Sequence, residues 1–127
     1  MAGTTVTIRA KKKMLQARAG IISQLPRITH MAFGDGGVDS GGNVIDHSPS
    51  ANALNHELLR KAIDGYTVIS DTCIRYACTL AESDLAGVYI SECGLIDADG
   101  DFVALKSFLQ KGKDADMQVV FECEDTF

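Results

Sequence analysis

Apolar and polar residues alternate through the second half of the chain, and this pattern constrains the fold more than any other feature. In the last such segment Met117, Val119, Phe121 and Cys123 are apolar, while Gln118 and Glu122 lie between them. Successive side chains of a strand point to opposite faces, so a period of two predicts a strand with one buried face. Similar runs at 72–80, 87–96 and 102–109 extend the prediction to a β-rich half over 66–125, with four or five antiparallel strands.

The first half follows a different period. Apolar residues recur at intervals of three and four, at Ala10, Met14, Ala17, Ile21 and Leu25. This stripe predicts an amphipathic helix over about residues 7–25. Thr5 or Thr7 can cap its start, and Pro26 ends it because the residue before a proline avoids the helical region.

A strand over 27–33, a long polar loop over 34–50 and a second, short helix complete the predicted elements. Ser50 can cap that helix, which runs from Ala51 to about Arg60. The resulting fold class is α+β. The N-terminal helix and the short second helix pack with a mainly antiparallel sheet of about five strands, in a single domain of 127 residues.

Charge is divided sharply along the sequence. Six of the 12 basic residues and none of the 17 acidic residues lie in the first 34 positions, so that segment carries +6 and the remainder −11. A basic helix on an acidic body can pair within the chain, between subunits or with a partner protein. The candidate partner-interface residues are therefore the cations of the helix and the acids of the loop: Arg9, Lys11, Lys12, Lys13, Arg18, Asp35, Asp39 and Asp46.

Several partner classes are disfavoured by the same composition. The acidic body argues against a nucleic-acid surface, since phosphate binding needs a basic face. No stretch approaches the roughly 18 apolar residues of a membrane span, and no signal peptide is visible. Four cysteines, at 73, 78, 93 and 123, form no CxxC pair, which predicts reduced and mostly buried thiols, with a disulfide between neighbouring strands left open.

Two acidic or glycine-rich motifs invite a chemical interpretation. Gly34-Asp35-Gly36-Gly37 follows a strand, as phosphate loops do, but lacks the Gly-Lys-Ser/Thr ending, so a flexible turn is favoured. Asp97-Ala98-Asp99-Gly100-Asp101 lacks the glycine and glutamate positions of a calcium loop. It predicts a hairpin turn, with weak calcium binding left open. Glu92 interrupts an apolar strand, so it either faces solvent or has buried partners.

No catalytic constellation emerges. The three histidines, at 30, 47 and 56, have no metal-ligand spacing, and nothing places Cys93 beside a histidine and a carboxylate. The sequence predicts no catalytic residues, no cofactor and no resident metal. A small hydrolase or metal enzyme is therefore the least favoured class.

Three segments together resemble the N-terminal domain of phage tail-collar fibre proteins, as found at the start of P2-type tail fibres. Residues 28–37, Ile-Thr-His-Met-Ala-Phe-Gly-Asp-Gly-Gly, resemble the family's Thr-His-x-Ala-x-Gly-Asp-Gly run. Residues 54–60 resemble its Leu-x-x-Glu-x-x-Arg helix. Residues 90–101 resemble Ile-Arg-Glu-x-Gly-Leu-Phe-Asp-x-Asp-Gly-x, the most specific of the three.

The resemblance implies a structural part of a phage or phage-like contractile tail, not an enzyme. It implies attachment of a tail fibre to the baseplate, or a fibre adaptor, with baseplate and tail-fibre proteins as partners and a possible homotrimer. A receptor- or carbohydrate-binding module at the tail tip is the alternative. Particles of this kind assemble in the bacterial cytoplasm. Glu57, Arg60 and Glu92 match family positions and are candidate structural polar contacts. Family members continue into a shaft and tip beyond this domain, so an isolated domain and a free-standing adaptor both stay open.

Overall fold

The computed structural model describes residues 4–127. Its elements are β1 (Thr4–Val6), α1 (Ile8–Arg18), β2 (Ile28–Gly34), β3 (Glu57–Ala62), β4 (Gly65–Ser70), β5 (Cys73–Leu80), β6 (Val88–Asp97), β7 (Phe102–Lys113) and β8 (Val119–Thr126). The α+β prediction is wrong, because these residues form one short helix and two sheets. The predicted strands of the second half are present, and further strands lie outside them.

The strands form a five-stranded sheet in the order β1-β7-β6-β2-β3 and a three-stranded sheet in the order β4-β5-β8. Every paired neighbour is antiparallel. The inner faces of the two sheets share a core in which Phe33 of β2 lies 5.1 Å from Phe121 of β8, centroid to centroid. Burial of this apolar surface is the main force that holds the two sheets together.

Helix α1 is shorter than the predicted 7–25. Thr7 caps its start, since the Thr7 hydroxyl accepts a hydrogen bond from the Ala10 N–H. Gly20, at φ +78°, ends the helix in a Schellman motif, with Gly20 N–H bonded to the Ala17 carbonyl and Ile21 N–H to the Gln16 carbonyl. The stop is therefore at Gly20, six residues before the Pro26 that the sequence indicated.

The predicted second helix over 51–60 is also wrong. Residues 57–62 form strand β3, which pairs with β2, and the segment before it is irregular. Leu54 is buried. However, the Asn55 and His56 N–H groups donate to a side chain of the larger sheet, so tertiary hydrogen bonds replace the helical ones. Local helix propensity is weak enough for such contacts to override it.

The connection between β2 and β3 spans 35–56, longer than the predicted loop over 34–50. It is organised by hydrogen bonds that Asp39 Oδ1 accepts from the Gly41 and Asn43 N–H groups and by a bridge between Val38 and Val44. All four cysteines are free and buried. Within the described residues, no helix has the length and apolar character required to cross a membrane.

Candidate functional site

Glu92 of β6 is the most completely buried acid among the described residues, with no exposed surface. Its carboxylate accepts hydrogen bonds from three backbone N–H groups, those of Gly36 at 2.9 Å, Asn55 at 2.9 Å and His56 at 2.8 Å. His47 contributes a fourth contact, from Nε2 to Oε1 at 2.8 Å. Glu92 therefore joins both ends of the β2–β3 connection to the centre of the larger sheet.

His47 extends the network to β7. With Nε2–H donated to ionised Glu92, the imidazole Nδ1 is free to accept, and the Ser107 hydroxyl lies 3.0 Å from it. His47 and Ser107 are 6% and 2% exposed. The neighbouring Ser91 hydroxyl accepts from the Gly37 N–H at 2.9 Å, so each polar group of this buried cluster has a partner.

The hydrogen bonds also determine the charge state of Glu92. Burial alone would raise its pKa, because desolvation disfavours the charged form. The four donors outweigh burial, and the pKa of Glu92 is lowered below its ordinary value. The carboxylate is consequently ionised at neutral pH, and its hydrogen bonds with the N–H groups and the imidazole stabilise the negative charge.

The glycines of the 34–37 motif have a steric explanation in this network. A Cβ on Gly34 would overlap the His56 carbonyl oxygen, and one on Gly37 would overlap the Ser91 carbonyl oxygen. A Cβ on Gly36 would lie 2.6 Å from the Asn55 Cβ and 2.8 Å from Glu92 Oε2. These glycines let the backbone approach a carboxylate of the protein itself. The motif is therefore neither a phosphate loop nor a merely flexible turn.

Ser107, His47 and Glu92 form a chain of side-chain contacts that resembles a hydrolase triad, but their geometry does not support catalysis. The acid contacts Nε2 and the serine contacts Nδ1, whereas a triad uses the opposite arrangement. The Ser107 hydroxyl is also buried, so a substrate carbonyl could not reach it in this structure. The cluster is suited to holding strands and loop in register.

A second charged cluster lies where α1 meets the β6–β7 turn. Asp97, Asp99 and Asp101 bring their carboxylate oxygens within 4.8 Å of one another, as a cation site would require. Lys13 of α1 occupies the position between them, with Nζ at 2.7, 3.1 and 2.8 Å from the three carboxylates. The ammonium group therefore supplies the positive charge that a calcium ion would otherwise bring.

The turn itself supports this cluster. Asp97 Oδ1 accepts from the Asp99 and Asp101 N–H groups, and Gly100 takes φ +86°, as the sequence predicted for a hairpin. Partial burial opposes the charge on Lys13, but its hydrogen bonds to Asp101, Asp97 and Asp99 prevail and raise its pKa. Lys13 thus clamps the helix to the larger sheet.

The other candidate interface residues fall into two groups. Arg9 bonds Asp101 at 2.9 Å, Asp35 bonds His56, and Asp39 is used within its loop. Exposed residues without an ion pair among positions 4–127 form the second group: Lys11, Lys12, Arg18 and Asp46. Of the predicted basic surface, only Lys11, Lys12 and Arg18 are therefore free to bind an acidic partner.

Glu57 and Arg60 form a bidentate ion pair at 3.0 Å for each bond. They lie on strand β3 and not on the predicted helix. The Arg60 guanidinium also lies 5.4 Å from the Phe102 ring centroid, which joins this edge of the sheet to a core aromatic.

Sequence reasoning did not identify His47, Asn55 and Ser107 as parts of the site. His47 lies in the polar loop, and it is buried against Glu92. One signal was available: an acid within an apolar strand needs several donors if it is buried. The predicted polar loop over 34–50 could supply such donors.

Comparison with known proteins gives one match. The family model described as phage tail-collar fibre protein, N-terminal, matches residues 1–121. It spans the three resembling segments and both charged clusters. Neither the curated proteins nor the solved structures include a significant match.

Proposed function

Because the chain belongs to the phage tail-collar fibre family, whose domains are structural parts of tail fibres, we propose that it attaches a fibre to the baseplate of a contractile tail. The family match over residues 1–121 is the observation that carries this proposal. The charge division within the chain supports it, since a basic helix on an acidic body favours contacts with other proteins. In this role the chain acts by binding and not by catalysis.

We propose the outer surface of α1 as the attachment surface, formed by Lys11, Lys12 and Arg18. All three are exposed, while Lys13 and Arg9 of the same helix are engaged with the β6–β7 turn. The helix is thus fixed to the sheet by one set of cations and presents another set outward. An acidic face of a baseplate or fibre protein is the complementary partner.

Co-sedimentation with tail particles that lack this protein tests the proposal. The purified wild-type chain should pellet with the tails and not with host cells. That result would place the protein in the tail of the particle. A triple variant, Lys11→Glu, Lys12→Glu and Arg18→Glu, should lose most of the binding while keeping its melting temperature. Lys111→Glu, an exposed cation on β7, is the control and should bind like wild type.

Two results would contradict the proposal. Equal tail binding by the triple variant would remove α1 from the interface. Binding to cells in place of tails would favour the receptor- or carbohydrate-binding alternative. The homotrimer expected of fibre proteins is a separate proposal, tested by light scattering on the purified chain, where a mass of one chain would contradict it.

A further inference from the structure

A groove opens between the two sheets at the end away from Glu92. It has a volume of about 510 Å³ and lies beneath α1 and the segment that follows it. This volume falls within the usual range for ligand sites. Most of its lining is apolar, including Met14, Leu25 and Ile63. None of these residues belongs to the proposed attachment surface.

Asp125 of β8 lies in this groove at a position where the strand pattern expects an apolar residue. It pairs directly with Ile74, and it lies two residues beyond buried Cys123 on the same face. The Oδ1 atom of Asp125 is buried and has no hydrogen-bond partner in the described structure. It is the only side-chain oxygen or nitrogen of the described residues in that condition.

Two tyrosines stand beside this carboxylate. Tyr76 of β5 is diagonal to Asp125, across from Cys123, and Tyr66 of β4 pairs with Tyr76 at 6.2 Å between ring centroids. Tyr66 is 66% exposed and Val68 is 63% exposed. The apolar inner face of the small sheet therefore continues out of the groove into an uncovered surface.

The cations near the groove do not satisfy Asp125. Lys13 lines the opposite wall but is held by the three aspartates of the β6–β7 turn. Arg27 also lines the groove and makes no ion pair within residues 4–127. Burial consequently raises the pKa of Asp125, with no cation to oppose it.

We propose that this groove binds a basic side chain, presented on an apolar peptide segment of a partner protein, with Asp125 as its counter-ion. A guanidinium or ammonium group supplies the donor that Oδ1 lacks. The faces of Tyr66 and Tyr76 accept the same cation. Apolar residues flanking the basic one cover Val68 and the groove wall, which gives the complex its buried apolar area.

Two matched peptides test the proposal by NMR titration of the labelled full chain. The probe is acetyl-Leu-Arg-Leu-amide, and the control replaces arginine by citrulline, which has nearly the same shape without charge. Both peptides should shift the resonances of groove residues in the wild-type protein, which should bind the arginine peptide about tenfold more tightly than the citrulline peptide. Asp125→Asn should bind both peptides with similar, weak affinity.

Tyr66→Ala provides a second variant at an exposed position, so its folding is not at risk. This substitution should lower the affinity for the arginine peptide several-fold and the affinity for the citrulline peptide by less. Equal binding of both peptides by wild type would overturn the proposal and indicate a purely apolar site. Absence of groove shifts up to about 10 mM peptide would overturn it as well. Neither result depends on tail binding, so the attachment proposal stands or fails separately.

Discussion

Glu92 and Asp125 are two acids on strand positions that face the interior, and their environments are opposite. Glu92 has four hydrogen-bond donors and a lowered pKa. Asp125 has an oxygen with no partner and a raised pKa. The difference indicates separate roles, because a satisfied carboxylate fixes structure whereas an unsatisfied one is costly unless a ligand completes it.

The two positions also differ in what surrounds them. Glu92 lies at the centre of the five-stranded sheet, where the 35–56 connection folds over it and excludes water. Asp125 lies near the end of β8, where the small sheet extends past its cover. Burial with dedicated donors favours rigidity, and partial burial beside an open groove favours recognition.

Replacement of Glu92 should have the largest effect on stability. Glu92→Gln replaces one carboxylate oxygen by an NH₂ donor, so two of the four buried donors lose their acceptor whichever way the amide is turned. We expect a loss of about 3–5 kcal/mol in the free energy of unfolding, measured by urea denaturation. The exposed Glu82→Gln is the matched control and should change it by less than about 0.5 kcal/mol. A loss below 1 kcal/mol for Glu92→Gln would mean that the network does not support the fold.

Gly37→Ala tests the close approach to the same network. The added Cβ would overlap the Ser91 carbonyl oxygen, so the loop must move and stretch the Gly37–Ser91 hydrogen bond. We expect a loss of about 2–3 kcal/mol in unfolding free energy. Gly65→Ala has open space around it and should be neutral or slightly stabilising. Equal effects of the two substitutions would refute the steric account.

Local signals in the sequence predicted part of this fold. The strands at 73–80, 88–97 and 102–113 follow from alternation and from the Asp-Gly turn at 99–100, because these signals are local. The three family-like segments were recognised individually. Their convergence on Glu92 and on the Asp97–Asp101 turn depends on which strands become neighbours, and that information is not local.

Residues 51–62 show where local reasoning fails. Their apolar spacing suits a helix, yet the N–H groups of Asn55 and His56 bind Glu92, which is 37 and 36 residues away. The three consecutive lysines of α1 are a similar case. Lys13 is a structural clamp, and nothing in a run of three lysines distinguishes it from Lys11 and Lys12.

Lys13→Met should show that distinction with a smaller loss. Removal of the ammonium leaves three carboxylates close together, one of them the buried Asp97, so repulsion replaces attraction. We expect a loss of about 1–2 kcal/mol, against less than about 0.5 kcal/mol for the adjacent exposed Lys12→Met. Calcium should raise the melting temperature of Lys13→Met and not of wild type. An equal loss of unfolding free energy in Lys13→Met and Lys12→Met would contradict the structural role of Lys13.

Asp125 should give the smallest effect and the opposite dependence on pH. The lowered pKa of Glu92 contributes stability above its unfolded pKa of about 4.3, and this is lost as pH falls through the folded value. The raised pKa of Asp125 reverses the sign. Its ionised form lowers stability at neutral pH, and the penalty fades as pH falls through the raised folded pKa.

Asp125→Asn removes this titration. At about pH 7 the variant should equal or exceed wild type in unfolding free energy, by no more than about 1 kcal/mol. The difference should shrink as pH falls through the raised folded pKa of Asp125, where the wild-type carboxylate becomes protonated. Urea denaturation at several pH values measures it, with the exposed Asp46→Asn as the control. A variant less stable than wild type at neutral pH would show that Asp125, like Glu92, already has its partner within the fold.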